Sequence, residues 1–290
     1  IWELNMSKVA FIGLGVMGSP MAGHLSKNYK TTVFNRNTEK SNKWISNYNG
    51  KMELSIPNTV KDADFVFCCV GNDNDLSSIL LGENGVINSM KKGAILVDHT
   101  TCSAKISKEI FAIAENKGIQ FMDAPVSGGQ IGAENGKLTI MCGGNENTYN
   151  LVEPKISCYS KFSSLMGPVG SGQLTKMVNQ ICIAGLVQGL AEGLNFSKKA
   201  KLNGKKVLDV ISKGAAGSWQ MDNRGETMLN DEFDFGFAVD WMRKDLNICL
   251  DEANNNKAKL PITALINQFY CDLQDMGGGR FDTSSLIKRL

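Results

Sequence analysis

The most restrictive feature of the sequence is a set of three glycines, Gly13, Gly15 and Gly18, that follows an apolar run over residues 9–12. Such a run is typical of a parallel strand buried on both faces. At this spacing the first glycine permits a tight turn, the second lets a pyrophosphate approach the backbone, and the third lets a helix pack closely on the strand. Residues 19–28 can continue as that helix, whose N-terminus favours phosphate. The motif predicts a dinucleotide site lined by Gly13, Leu14, Gly15, Val16, Met17 and Gly18.

The composition excludes several classes of partner. A chain of 290 residues with 42% hydrophobic and 21% charged residues is an ordinary globular protein, long enough for two domains. The net charge of +2, without a basic run, gives no support for a nucleic-acid partner. The longest apolar stretch, residues 181–194, contains Gln188 and Glu192 and is too short to span a membrane. We therefore expect neither a nucleic-acid nor a membrane partner.

The cysteine and histidine content indicates a reducing compartment and no metal centre. None of the eight cysteines forms a Cys-x-x-Cys pair, and the only histidines are His24 and His99. Residues 1–5 have neither the basic start nor the apolar core of a signal peptide, so we expect Met6 to be the natural start. The sequence thus predicts a cytoplasmic protein with reduced thiols.

The order of apolar runs predicts the fold class. Short apolar runs alternate with helical patterns up to a Gly/Pro-rich break at residues 167–172, and strand-like runs nearly disappear beyond it. We predict an α/β fold in which a Rossmann-type doubly wound sheet, residues 1–167, is followed by an all-α domain for substrate and oligomerisation, residues 168–290. The apolar helix over residues 173–199 is expected to be buried nearly all round. Its apolar content exceeds the needs of one small domain, which indicates contacts between subunits of a homo-oligomer.

The end of the second predicted strand bears on the choice of cofactor. Asn35, Arg36 and Asn37 stand about 20 residues after the glycines, where an NAD site usually has a carboxylate for the ribose hydroxyls. A carboxylate would repel a 2′-phosphate, whereas a guanidinium can pair with it. We therefore predict that NADP is preferred and that NAD is a second cofactor. The alternative is an exposed arginine in a turn.

Two further strand ends carry candidate cofactor residues. Val70 and Gly71 end the strand predicted over residues 64–70, at the edge where ligands bind in open α/β sheets. Thr100 and Thr101 follow the strand over residues 94–97 and could reach a nicotinamide or a substrate. Alternatively, Thr101 or Ser103 caps the next helix.

The loop after residues 119–122 is a candidate anion site. Ser127 supplies a hydroxyl, and Gly128 and Gly129 leave their backbone N–H groups accessible, an arrangement that suits a carboxylate. The alternative is a turn that needs glycines only for its backbone angles.

Lys176 is the candidate catalytic residue. It lies near the start of the apolar helix, with Asn179 and Gln180 one turn later on the same face. An ammonium group in an apolar helix is costly unless it is paired or used, and burial favours its neutral form, which suits proton transfer near neutral pH. The alternative is a lysine that extends to solvent.

Taken together, these motifs resemble the β-hydroxyacid dehydrogenase family, which includes 3-hydroxyisobutyrate dehydrogenase and tartronate semialdehyde reductase. The resemblance covers essentially the whole chain. It rests on the glycine motif at residues 13–18, the segment 123–129, and the Gly-x-x-x-Lys-x-x-Asn-Gln pattern at residues 172–180. Residues 241–246 and 282–286 resemble later signatures of the same family.

The resemblance implies roles for individual residues. Lys176 matches the family's general acid and base, and residues 127–129 match the loop that binds the substrate carboxylate. Asn179 and Gln180 match a polar pair that orients the substrate, although some relatives have Asn at the second position. Thr101 matches a residue near the nicotinamide ribose, and Lys244 matches one that reaches the cofactor from the second domain. The implied activity interconverts a small β-hydroxyacid, 3-hydroxyisobutyrate-like, and its semialdehyde.

Other functions remain open at this point. The substrate could be another short semialdehyde or keto acid, of tartronate, succinic or glyoxylate type, and the implied all-α domain is like that of 6-phosphogluconate dehydrogenase. That enzyme is markedly longer and has His-Asn in place of Asn179-Gln180, and imine reductases generally lack a lysine matching Lys176. Some relatives are non-catalytic cofactor-binding modules that have lost this lysine. Trp219 and Arg224 could line the substrate cleft, or pack in the core and pair at the surface, respectively.

Overall fold

The computed structural model describes residues 7–290, so the expectations for residues 1–5 and Met6 lie outside the described part. The chain divides into two compact units. The first unit ends at Lys176, and the second runs from Met177 to Leu290.

The first unit is built on a mostly parallel sheet, as the sequence predicts. Its strands are β1 Lys8–Ile12, β2 Lys30–Phe34, β3 Lys51–Met52, β4 Phe65–Cys68, β5 Ile95–Asp98, β6 Gln120–Asp123, β7 Val126–Ser127, β8 Leu138–Gly143 and β9 Ser160–Gly167. Within the described residues these nine strands form one sheet in the order β3-β2-β1-β4-β5-β6-β8-β7, with β9 paired to β8. The pairs from β3 to β6 are parallel, whereas β8 runs antiparallel to β6 and β7.

Both faces of this sheet are covered by apolar layers. Successive residues of a strand point to opposite faces, so Phe11 and Phe67 contribute to one buried cluster while Ile12 and Val66 contribute to another. Burial on both sides explains why the strands are continuously apolar in sequence. The covering helices are α1 Gly18–Leu25, α2 Thr38–Asn47, α3 Ile56–Val60, α4 Asp73–Leu81, α5 Val86–Ser89, α6 Ala104–Asn116, α7 Gly129–Glu134 and α8 Glu146–Ile156.

The second unit is helical, in agreement with the prediction. Its core is a third apolar cluster that includes Leu194, Met242 and Tyr270. Helix α9, Ser171–Lys199, begins in the first unit and continues into the second. It is followed by α10 Gly204–Ile211, α11 Trp219–Leu229, α12 Val239–Asn256, α13 Pro261–Asp275 and a C-terminal 3₁₀ helix, Thr283–Arg289.

Helix α9 differs from the prediction that it is buried nearly all round. Val178, Leu186 and Phe196 are exposed, with 61%, 48% and 72% of their surface accessible. The helix is also long and apolar enough to cross a membrane by length and composition, the only such helix within residues 7–290. Core helices of soluble proteins pass the same test, so this is weak evidence for a membrane span. The apolar content of α9 thus exceeds what its own unit buries.

Helix α11 was not predicted as a helix. Glycines such as those in residues 214–225 are typical of a break between helices. The break ends at Ser218, whose hydroxyl accepts a hydrogen bond from the N–H of Met221 and caps α11. Gly225 lies inside the helix, where an added Cβ would contact Leu208. Close packing therefore accounts for this glycine better than a turn does.

Candidate active site

The three motif glycines have the distinct roles that a dinucleotide site requires. Gly13 has a φ of +96°, and a Cβ added there would overlap the carbonyl oxygen of Cys69. A Cβ on Gly18 would overlap the carbonyl oxygen of Gly13, whereas a Cβ on Gly15 would meet no atom within 4 Å. Helix α1 has no side-chain cap and no acidic residue in its first turn, so its N-terminus is suited to phosphate. The residues present fit a bound dinucleotide.

The turn after β2 contains Asn35, whose side chain is hydrogen-bonded to the backbone, and Arg36, whose side chain is exposed. Asn35 accepts a hydrogen bond from the N–H of Leu14 at 2.9 Å and donates to the carbonyl oxygen of Asn37 at 3.0 Å. The Asn37 side chain in turn caps α2 by accepting from the N–H of Glu39. Arg36 is different, because its side chain is 88% exposed and its Nη1 lies 3.9 Å from Asp75 Oδ1. Asn35 therefore stabilises the glycine loop, and Arg36 is the charge available at this edge.

The turn after β5 settles which residue caps the next helix. Ser103 caps α6, because its hydroxyl accepts from the N–H of Ile106. Thr100 is buried, and its hydroxyl accepts from the N–H of Val70 at 3.0 Å, which ties the ends of β4 and β5 together. Thr101 lies between these two structural residues. Of these two candidates, Ser103 is thus the N-cap of α6.

The parallel strands bring the cofactor residues predicted in the first unit to one edge of the sheet. The carboxyl ends of β1, β2, β4 and β5 are adjacent, with Ile12 paired to both Phe34 and Cys68, and Cys68 paired to Asp98. The segments that follow these ends are residues 13–18, 35–37, 70–71 and 99–101.

The predicted carboxylate loop lies between β7 and α7. Ser127 ends β7, and Gly128 and Gly129 have φ values of +129° and +62°, which side chains with a Cβ rarely adopt. Below the loop, His24 Nε2 lies 3.1 Å from the carbonyl oxygen of Ala133, near the end of α7. The backbone conformation therefore requires glycine at both positions. This requirement fits a simple turn and an anion site equally well.

Lys176 lies on the second turn of α9, and its residue is only 7% exposed. The helix start is held by Asp123, whose carboxylate accepts from the N–H groups of Gly170 at 2.7 Å and Gln173 at 2.9 Å. Burial raises the pKa of Asp123 to about 6, and the hydrogen bonds from Gly170 and Gln173 oppose that rise. The alternative of a solvent-extended lysine does not fit this burial.

A row of polar side chains occupies the second unit. Asn179 donates to Gln180 Oε1 at 2.8 Å, and Gln180 Nε2 donates to Asp245 Oδ2 at 2.6 Å. Lys244 Nζ lies 3.0 Å from Asp245 Oδ1, and the Asp245 side chain is only 2% exposed. Both ends of the Gln180 amide are engaged within this row. The contact of Asn179 or Gln180 with a substrate stays a prediction from the family resemblance.

Two family models match consecutive parts of the chain. The NAD binding domain of 6-phosphogluconate dehydrogenase matches residues 8–174, and the NAD-binding model of NADP-dependent 3-hydroxyisobutyrate dehydrogenase matches residues 170–290. The chain belongs to the β-hydroxyacid dehydrogenase family. The predicted resemblance, the enzyme class and a nicotinamide cofactor are thereby confirmed: the chain is an NAD(P)-dependent hydroxyacid oxidoreductase.

Individual relatives of this β-hydroxyacid dehydrogenase agree over nearly its full length. An "Uncharacterized oxidoreductase" of Shewanella frigidimarina is 59% identical and is matched over 98% of both chains. The Arabidopsis thaliana protein named "Probable 3-hydroxyisobutyrate dehydrogenase-like 1, mitochondrial" is 42% identical over 98% of this chain and 85% of the relative. The solved structure of Mycobacterium tuberculosis 3-hydroxyisobutyrate dehydrogenase with L-serine has a TM-score of 0.88 at 25% identity, covering 98% of this chain and 99% of that one.

Arg224 of this β-hydroxyacid dehydrogenase is engaged inside the second unit. Its Nε donates to Asp282 Oδ1 at 3.1 Å, and the two side chains are 12% and 1% exposed. The guanidinium carbon also lies 5.1 Å from the ring centre of Trp219, which is 51% exposed. Surface pairing does not describe Arg224, because its ion pair with Asp282 is largely buried, whereas its place at the substrate cleft stays a prediction. Core packing does not describe Trp219, since half of its surface is accessible.

Sequence reasoning missed the polar residues that hold the site together. Asp98, Asp123 and Gln173 are each 0% exposed. Burial raises the pKa of Asp98 to about 7, although the hydrogen bonds from Thr100 lower it in part. Asp98 and Asp123 both end apolar strands, and a charged residue at the end of a buried strand is a signal that could have identified them.

Proposed function

We propose that the chain interconverts a small β-hydroxyacid, 3-hydroxyisobutyrate-like, and its semialdehyde, with Lys176 as the general acid and base. The observation that carries this proposal is the burial of Lys176 on a helix whose first turn is hydrogen-bonded to Asp123, at the end of β6. A buried ammonium group is costly, so its presence next to the carboxyl ends of the strands favours a chemical role.

The proposed chemistry divides between cofactor and protein. A bound nicotinamide supplies the hydride in reduction and accepts it in oxidation. Lys176 donates a proton from its ammonium group to the substrate oxygen during reduction and takes the hydroxyl proton during oxidation. The helix holds the Lys176 backbone in one position, which reduces the entropic cost of proton transfer. Proton transfer by a positioned side chain contributes about 10²- to 10⁴-fold to the rate.

Ser127, Gly128 and Gly129 are the proposed binding site for the substrate carboxylate. The hydroxyl and the backbone N–H groups of a glycine turn suit an anion. Asn179 is proposed to orient the substrate, with Gln180 holding its amide. For Lys244, a contact with the cofactor stays a prediction from the family resemblance.

NADP is the proposed preferred cofactor, with NAD as the second. The support is Arg36, which follows β2 and has an exposed guanidinium able to pair with a 2′-phosphate. We expect Arg36→Ala to lower kcat/KM with NADPH by roughly tenfold to a hundredfold, the loss of one charge-assisted contact of about 1.5–3 kcal/mol. The value with NADH should change little. Equal losses with both cofactors, in parallel steady-state assays, would count against this role.

A homodimer or homotetramer is proposed on the basis of α9. Val178, Cys182, Gly189, Gly193 and Phe196 are exposed and fall on one face of the helix. Added Cβ atoms at Gly189 and Gly193 would meet no neighbour within 4 Å, so this face has room for another helix. Residues 168–290 are the proposed substrate and oligomerisation domain, although the first compact unit extends to Lys176.

The proposed compartment is the cytoplasm. None of the eight cysteines, all of which lie within residues 7–290, forms a disulfide. Reduced thiols are typical of that compartment.

A substrate panel tests the function directly. The purified protein would be assayed with short hydroxyacids and semialdehydes, each with NADPH and with NADH, by absorbance at the nicotinamide band. We expect the highest kcat/KM with 3-hydroxyisobutyrate or its semialdehyde. A higher value with a tartronate, succinic or glyoxylate-type substrate would replace the proposed substrate, since one methylene changes discrimination by only about 1–3 kcal/mol. No turnover of any panel member would favour a non-catalytic cofactor-binding module.

A further inference from the structure

Gln173 is a buried polar residue for which the proposed chemistry has no role. It is 0% exposed and stands in the first turn of α9, three positions before Lys176. Residues three apart on a helix are neighbours on its surface. A buried amide requires hydrogen-bond partners for both its oxygen and its nitrogen.

The partners of the Gln173 amide lie on both sides of Thr101. Gln173 Nε2 donates to the carbonyl oxygen of Thr100 at 2.7 Å, and Gln173 Oε1 accepts from the N–H of Cys102 at 3.2 Å. One side chain thus holds the backbone before and after Thr101. Because the bridge requires a donor and an acceptor on one planar group, an amide suits it and an apolar side chain does not.

Both ends of this bridge are themselves fixed. The Gln173 backbone N–H donates to Asp123 Oδ2, and a Cβ on Gly172 would overlap the carbonyl oxygen of Met141, so the helix start is pressed onto the sheet. On the other side the Thr100 N–H donates to Asp98 Oδ1 at 3.0 Å. The bridge therefore joins two rigid parts of the first unit.

We propose that Gln173 is a positioning residue that ties the Thr101 turn to the helix turn carrying Lys176, so that the lysine acts from a fixed position beside the cofactor edge. This inference rests on the proposed role of Lys176. Loss of the bridge would leave both segments in place but free to shift relative to each other.

Gln173→Met tests the bridge, since it keeps the size of the side chain and removes both hydrogen bonds. We expect kcat to fall by roughly tenfold to a hundredfold, because a displacement of about 1 Å can cost 10²-fold. The dissociation constant for NADPH, from fluorescence titration, should change by less than about threefold. Amide hydrogen exchange at Cys102, whose N–H bonds to Gln173, should accelerate.

Gln120→Met is the matched control. Gln120 accepts a hydrogen bond from the Thr148 hydroxyl at 2.8 Å, at the start of β6 and therefore at the opposite edge of the sheet. We expect its kcat and the exchange at Cys102 to match the wild type. An equal fall of kcat in both variants would overturn the inference, because loss of a glutamine amide far from Lys176 would then have the same effect.

Gln173→Glu supplies an independent readout, and it applies even if the methionine variant does not fold. Protonated glutamic acid can donate to the Thr100 carbonyl oxygen as the amide does, whereas the carboxylate repels it. We expect the ratio of kcat for this variant to kcat for the wild type to rise as the pH falls. A ratio that stays level across the pH range would contradict the bridge.

Lys176→Ala separates failure of the inference from failure of the proposed function. If Gln173 acts through Lys176, adding Gln173→Met to Lys176→Ala should lower the residual rate by less than about twofold, since contacting residues are non-additive. Full activity of Lys176→Ala alone would refute the proposed function. A strong loss in Lys176→Ala together with unchanged kcat in Gln173→Met would refute only the inference.

Discussion

At the scale of single residues, the cofactor edge is built on buried acids. Asp98 and Asp123 are paired in the register of β5 and β6, and both are fully buried. Each carboxylate accepts backbone N–H groups, from Thr100 in one case and from Gly170 and Gln173 in the other. These hydrogen bonds offset part of the cost of burying charge. The two acids therefore hold the ends of the strands and the start of α9 in place.

Asp98 should make the stability of the cofactor-free protein depend on pH. Burial raises the pKa of Asp98 from 3.8 to about 7. Between these pH values the folded state keeps a proton that the unfolded state has released, so the free energy of unfolding of the wild type falls as the pH rises. The free energy of unfolding of Asp98→Asn minus that of the wild type should therefore grow from about pH 4 to pH 7 and stay level above. Urea unfolding across that range measures it. A difference that is level throughout would show that Asp98 titrates normally.

At the scale of elements, two glycines of the loop between β1 and α1 are expected to differ in role: Gly13 is needed for stability and Gly15 for cofactor binding. Gly13→Ala forces a Cβ onto a residue with φ +96° and against the Cys69 carbonyl, so we expect a loss of about 2 kcal/mol or more in the free energy of unfolding. Gly15→Ala meets no atom within 4 Å and should change that free energy by less than about 0.5 kcal/mol. Its methyl group should instead raise KM for NADPH severalfold. A destabilised Gly15→Ala with normal KM would contradict the assigned roles.

The strands and helices also show which parts of the fold could be predicted from the sequence. The strands predicted over residues 9–12, 64–70, 94–97 and 119–122 are present, because strands buried on both faces are continuously apolar. The two-residue strands β3 and β7 were missed since their pairing depends on neighbours distant in sequence. Helix α11 was missed because Gly225 signals a turn, although it serves close packing against Leu208. The glycine loop followed from sequence, whereas the Gln173 bridge depends on tertiary contacts.

At the scale of the whole molecule, the exposed face of α9 that includes Val178, Gly189 and Phe196 is the proposed contact between subunits. Gly189→Arg would place a charged side chain at the centre of that face, and we expect it to reduce the assembly to monomers. Asn255→Arg, an exposed site on α12, is the matched control and should leave the assembly unchanged. Light scattering coupled to size exclusion measures both. An unchanged molar mass for Gly189→Arg would place the interface elsewhere, or show the wild type to be a monomer.

Lys176 is the proposed proton donor and acceptor, and Lys176→Ala removes the group that would carry the proton. Hydride transfer in a single turnover, followed by nicotinamide absorbance, should slow by about 10²- to 10⁴-fold. Binding of NADPH should change by less than about threefold. Lys198→Ala, at the exposed end of the same helix, should behave as the wild type. A single-turnover rate for Lys176→Ala close to that of the wild type would contradict the claim.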